Sequence, residues 1–76
     1  MDTKQIRLRE LNDVKEFVNT AMKCDFDIDV FYNRIIIDAK SLLGVMSLDL
    51  SKTLNVVCRG FNQDFALVLQ KYEVSK

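Results

Sequence analysis

The sequence predicts an α+β domain of element order βαββαβα, in which an antiparallel sheet carries its helices on one face. Three observations lead there. The 76 residues are 49% apolar and 29% charged, with two Gly and no Pro. That is the make-up of one small globular domain over residues 1–76, and it excludes collagenous, disordered and low-complexity chains. Stretches with alternating apolar residues trade places with stretches where apolar residues recur every three or four positions. The connections between them are short, and no linker or internal repeat interrupts the chain.

Each element has its own pattern. Over residues 4–9, Ile6 and Leu8 alternate with Gln5, Arg7 and Arg9, a short strand. A helix follows with Val14, Phe17, Val18, Ala21 and Met22 on one stripe. Asn12 or Asp13 can cap it, and Asp13 with Glu16 three residues on is similar to a capping box. Residues 26–32 place Phe26, Ile28, Val30 and Tyr32 on one face of a half-buried strand. Asn33-Arg34 is a two-residue hairpin turn, and residues 35–39 form the partner strand. Ser41 is a good N-cap for a short, almost wholly apolar helix over residues 42–50. Residues 53–59 are the fourth strand, with Leu54, Val56 and Cys58 on one face. Gly60 ends it, and Asn62 caps a last helix with the stripe Phe65, Val68, Leu69 and Tyr72.

Composition removes several functions. Lys plus Arg equals Asp plus Glu at 11 each, so the basic excess of a nucleic-acid or acidic-membrane binder is missing. The longest apolar run is Ile35-Ile36-Ile37, far short of a membrane span. The start, Met1-Asp2-Thr3-Lys4-Gln5, lacks a signal-peptide core. A soluble, cytoplasmic chain is the expectation. With no histidine in the chain, no Ser/His or Cys/His pair and no His-containing metal site can form. Neither an enzyme nor a cofactor is therefore expected. Cys24 and Cys58 make no disulfide framework and read as free thiols used as small hydrophobes.

Asp25, Asp27 and Asp29 invite comparison with a calcium loop. Counted from Asp25, the sixth and twelfth positions are Val30 and Ile36, where an EF-hand needs Gly and Glu. The spacing is that of a strand with a solvated face, and no metal site is assigned.

The helix after Ser41 carries more information. A small sheet cannot bury all sides of so apolar a helix, so some of Leu42, Leu43 and Met46 are exposed and offer a partner-binding surface. The alternatives are ordinary core packing or a homodimer contact. Gly44 inside the helix costs about 1 kcal/mol relative to Ala, which a close contact explains. Ser41 is either a cap only, or a phosphorylation site at the positive end of a helix dipole.

The run Lys40-Ser41-Leu42-Leu43-Gly44-Val45-Met46-Ser47-Leu48 resembles the regulatory serine motif of HPr, the histidine-containing phosphocarrier of the bacterial sugar phosphotransferase system. Tyr32-Asn33, Asn19-Thr20-Ala21 with Lys23, and Gly60 are similar to other parts of that family. In element order the resemblance spans about residues 4–72. It implies an open-faced β-sandwich, with three helices over one face of four antiparallel strands. Relatives carry phosphate on a histidine in a Gly-x-His-Ala-Arg-Pro loop at the start of the first helix, and this chain has no histidine. A gapless alignment sets Glu10 opposite that histidine and Asn12 opposite the arginine. Shortening the loop by about five residues instead lets Ile6 and Leu8 form the first strand, at ordinary strand length.

What the resemblance implies is a regulatory protein-interaction module related to the phosphoenolpyruvate-dependent sugar phosphotransferase system. Ser41 is its phosphorylation site, and Leu42, Leu43 and Met46 surround that site. HPr kinase, Enzyme I and a catabolite-control regulator are the implied partners. The competing readings are a phosphoryl-transfer component with Glu10 as acceptor, and a stand-alone fold that is a monomer or a weak homodimer.

Overall fold

A computed structural model of the chain describes residues 3–74. Its elements are β1 (Thr3–Ile6), α1 (Leu11–Met22), β2 (Ile28–Tyr32), β3 (Ile35–Asp38), α2 (Leu42–Met46), β4 (Leu54–Cys58) and α3 (Gln63–Tyr72). The strands form one sheet in the order β1-β4-β2-β3. Every pairing in it is antiparallel.

Register divides the residues between two faces. Val56 stands opposite Val30, and Val30 opposite Ile37. This is the face that meets the helices, where Ile6, Ile28, Val30, Leu54 and Val56 are wholly buried. The other face carries the row Gln5, Asn55, Phe31 and Ile36. α1 contributes Val14, Phe17, Val18 and Ala21 to the core, and α3 contributes Phe65, Val68 and Leu69. The two helices meet through Phe17 and Phe65, whose ring centroids are 5.5 Å apart. Burying each such side chain stabilises the fold by about 1.5–3 kcal/mol.

The Asn33-Arg34 turn works because Asn33 takes φ 54°, a left-handed conformation that Asn tolerates better than most residues. Ser41 and Asn62 cap their helices as their side chains predict. Ser41 Oγ accepts the Gly44 N–H at 3.1 Å, and Asn62 Oδ1 accepts the Phe65 N–H at 2.9 Å.

Four local expectations need correction. The first strand ends at Ile6 rather than at Arg9, because Arg7 N–H donates to the Tyr72 carbonyl at 3.0 Å instead of to β4. Leu8 lies outside the strand yet is wholly buried. α1 starts at Leu11 with Glu10 as its N-cap, not Asn12 or Asp13. Asp13 is the third helical residue, and its Oδ2 accepts Arg9 N–H at 3.0 Å and Glu10 N–H at 3.3 Å. Glu16 points away to the Tyr72 hydroxyl and to Lys71. Met22, the last residue of α1, is 60% exposed and lies off the buried stripe.

The fourth correction concerns α2, which stops at Met46 rather than at Leu50. Ser47 Oγ donates back to the Gly44 carbonyl at 2.6 Å, and Asp49 Oδ1 accepts both Ser51 N–H at 3.1 Å and Ser51 Oγ–H at 2.6 Å. These short polar side chains offer the backbone an alternative to the helix ladder. Leu48 remains buried in the segment that follows.

Candidate functional site

The segment leading into α2 is built from local hydrogen bonds. Asp38 Oδ1 accepts Lys40 N–H at 2.9 Å, and the Asp38 carbonyl accepts Ser41 N–H at 2.9 Å. That turn delivers Ser41 in an extended conformation, φ −98° and ψ 104°, as an N-cap requires. Lys40 Nζ donates to the Cys24 carbonyl at 2.9 Å, tying the start of α2 to the segment just after α1.

Gly44 seats α2 on the sheet. A Cβ at that position would lie 2.7 Å from Ile37 Cγ2 and 3.0 Å from Ser41 Oγ, so the backbone of α2 touches β3 at a separation that no side chain permits. Val45 points inward and is wholly buried. Leu42, Leu43 and Met46 are 38%, 82% and 44% exposed. Leu42 and Leu43 stand four and three residues before Met46, on one side of the helix. Ser41 is half-buried beside them, and one of its lone pairs is used by Gly44. The structure thus brings Ser41, Leu42, Leu43 and Met46 together at one short helix and its cap.

Glu10, the other candidate, is exposed at the N-terminus of α1. Only residues 7–10 separate β1 from α1. Beside them α3 is tied down: Tyr72 donates its hydroxyl to Glu16 Oε1 and to Asp13 Oδ1, the latter at 3.3 Å, and Lys71 Nζ meets Glu16 Oε1 at 3.0 Å. The Tyr72 hydroxyl and the Lys71 ammonium hold the Glu16 carboxyl below its ordinary pKa. Burial, with the hydrogen bond to Glu16 next, raises the Tyr72 hydroxyl above its own.

The Asp25, Asp27 and Asp29 group does not converge. Asp29 pairs with Arg59 at 3.2 Å, and no group of three or more metal-ligating side chains occurs among the described residues. Cys24 is buried and free, and donates weakly to the Thr20 carbonyl at 3.6 Å; Cys58 is half-buried and also free. Burial pushes both thiols up, the reverse of what a reactive cysteine needs. A surface groove of about 500 Å³, lined by Phe26, Phe61, Phe65, Leu69, Lys4 and Glu73 among others, includes none of the α2 residues. No helix among the described residues is long and apolar enough to cross a membrane.

Sequence reasoning picked out the α2 residues and flagged Gly44, since glycine inside a helix asks for a packing reason. The Lys40 tether and the Tyr72–Glu16 contact were missed. Both join residues far apart in the chain, and nothing local marks either one.

A family described as PTS HPr component phosphorylation site matches residues 12–70. The chain belongs to the PTS-HPr family. Members of that family are phosphocarriers or regulators of the sugar phosphotransferase system, not classical enzymes. Among solved structures, this HPr-family chain resembles HPr-C-His from Thermoanaerobacter tengcongensis with a TM-score of 0.74. The identity is 24%, over 93% of this chain and 89% of that one. It also resembles the catabolite repression protein Crh of Bacillus subtilis, whose crystals show an intertwined dimer with a swapped domain. There the TM-score is 0.64 and the identity 18%, over 92% of this chain and 88% of the other. At these identities the two structures establish the shared HPr fold. Among curated proteins, none matches this chain.

Proposed function

We propose that this HPr-family chain is a regulatory interaction module, not a phosphocarrier, and that it docks protein partners through Leu42, Leu43 and Met46 with Ser41 as its phosphorylation site. The observation that carries this reading is an exposed apolar triad around Ser41, on a helix clamped by Gly44 against β3 and by Lys40 to the segment just after α1. The sequence contains no histidine, so the phosphohistidine chemistry to which the resemblance points has no acceptor here. The docking helix needs none.

Phosphorylation fits the local chemistry. Ser41 Oγ is a hydroxyl at a helix N-cap, where negative charge is favoured by the backbone N–H groups. A phosphoryl group there adds nearly two negative charges to a chain of formal charge zero and places them beside Leu42 and Leu43. A partner that reads both the apolar triad and the phosphate would discriminate the two states. HPr kinase is the proposed source of the phosphate, and a catabolite-control regulator the proposed reader.

Incubation with HPr kinase and ATP, followed by intact mass, tests the modification. The expected result is one added phosphate in the wild type and none in Ser41→Ala. Binding of the phosphorylated chain to a catabolite-control regulator, compared with Leu43→Asp and Met46→Asp, tests the surface. Equal binding by all three chains would remove α2 from the mechanism. Hydroxylamine-labile label transferred by Enzyme I from phosphoenolpyruvate, and lost in Glu10→Gln, would instead assign a phosphocarrier that uses Glu10.

A further inference from the structure

We propose that the outer edge of β3 is a self-recognition surface, which pairs antiparallel with β3 of a second copy of this chain about a two-fold axis centred on Ile36. The two edges of the sheet are not alike. Along β1, Val74 N–H donates to the Gln5 carbonyl at 2.9 Å and Glu73 bridges to Ile6, so the segment after α3 covers that edge. Along β3, no segment among the described residues does the same.

The backbone groups that face the open edge follow from the register. Tyr32 and Ile35 close the two-residue turn, and Ala39 N–H donates to the Ile28 carbonyl at 2.9 Å. Ladder bonds between β2 and β3 therefore fall on the pairs 28–39, 30–37 and 32–35. The N–H and C=O of Ile36 and the N–H of Asp38 point outward. The Asp38 carbonyl is already taken by Ser41 N–H. An open edge is ordinarily blunted by Pro, Lys or a bulge. β3 reads Ile35-Ile36-Ile37-Asp38 with none of these, and Ile35 and Ile36 are 48% and 62% exposed.

The segment is also complementary to itself. Arg34-Ile35-Ile36-Ile37-Asp38 carries a cation at one end, an anion at the other and isoleucine between. With Ile36 on the axis, Arg34 stands opposite the partner's Asp38, Ile35 opposite the partner's Ile37, and Ile36 opposite the partner's Ile36. Moving the axis by one residue in either direction sets Ile36 against a charge. Neither Arg34 nor Asp38 is in an ion pair among the described residues. Opposite charges across an antiparallel pair stabilise it, and like charges oppose it. The contact is isologous, as a two-fold dimer requires. Directly opposite residues share a face, so the helices of both copies lie on one side of a continuous sheet of eight strands, four from each. So short a strand pair buries less than the roughly 1,200–2,000 Å² of a stable interface, and the dimer dissociates on dilution.

Sedimentation equilibrium of the full chain from about 10 μM to 1 mM tests this, the range in which so small an interface associates. The wild-type average mass should climb above 8.8 kDa with concentration. Arg34→Asp and Asp38→Arg, each alone, should stay monomeric, because like charges then face each other. Mixed one to one, the two variants should regain association, since both crossed pairs are again opposite in sign. Asp38→Asn keeps an acceptor for Lys40 N–H, so a loss of association in that variant cannot be blamed on the turn. In NMR spectra the Ile36 amide should shift and exchange more slowly as concentration rises. A mass that stays flat to 1 mM overturns the proposal. So does association that survives both charge changes, or amide shifts confined to Leu43 and Met46.

Discussion

Replacing Gly44 by alanine sets two physical effects against each other at the point where α2 meets the sheet. By helix propensity alone, Gly44→Ala should stabilise the protein by about 1 kcal/mol. The structure argues for the opposite sign. The new Cβ would lie 2.7 Å from Ile37 Cγ2 and 3.0 Å from Ser41 Oγ. Ile37 is β-branched and stiff at χ1, so its methyl group cannot swing aside without moving β3. Overpacking of this kind costs about 1–3 kcal/mol. Crowding Ser41 also strains the cap bond to Gly44 N–H, itself worth about 1 kcal/mol. The net expectation is a loss of about 1–2 kcal/mol, or a fall in Tm of roughly 5–15 °C for a domain of this size. Urea titration at low protein concentration measures it, with an unchanged m value as the sign that only stability has moved. Ile37→Ala removes the opposing methyl, so a double-mutant cycle should show positive coupling between the two sites, on the order of 1 kcal/mol. A stabilised Gly44→Ala protein, with effects that simply add to Ile37→Ala, would refute the close contact and the seating of α2 derived from it.

Three further outcomes are expected. Phe17 is wholly buried and pairs with Phe65, so Phe17→Ala should cost about 3–5 kcal/mol in a denaturant titration, a large fraction of the stability of a small domain. Ser41→Ala should cost about 1 kcal/mol through the lost cap while leaving the far-ultraviolet spectrum of the native state unchanged. The Tyr72 hydroxyl and Lys71 ammonium hold the pKa of Glu16 below 4.5, so its folded value lies under its unfolded one. That contribution is in place above pH about 4.5 and is lost as pH falls through the folded value. Between pH 7 and pH 3, the wild type should therefore lose more stability than Glu16→Gln.

Much of the fold was legible in the sequence because periodicity reports burial directly. Val14, Phe17, Val18 and Ala21 recur at helical spacing, and they line the core side of α1. Ile28 and Val30 alternate with Asp29 and Phe31, and they are the wholly buried pair of β2. Ser41 and Asn62 act through bonds only three residues long, so their residue types alone disclosed them. The cap of α1 was misread for the complementary reason. Glu16 resembled the partner of Asp13, but Tyr72 and Lys71 at the far end of the chain draw it away. α2 looked longer than it is, since an apolar count does not weigh the turns made by Ser47, Asp49 and Ser51.

The candidate site divides along the same line. The sequence alone determined that an apolar helix opening on Ser41 exceeds what a small sheet can bury, and that no histidine is present. It also determined the order of elements, because each is specified by contacts within a few residues. Tertiary structure alone decided the strand order β1-β4-β2-β3, which left β3 at an open edge while the segment after α3 covered β1. It also decided which α2 side chains face outward, through the Gly44–Ile37 approach and the Lys40–Cys24 tether. Those contacts join residues distant in the chain. Their choice depends on how all the elements share one core, and no local pattern encodes it.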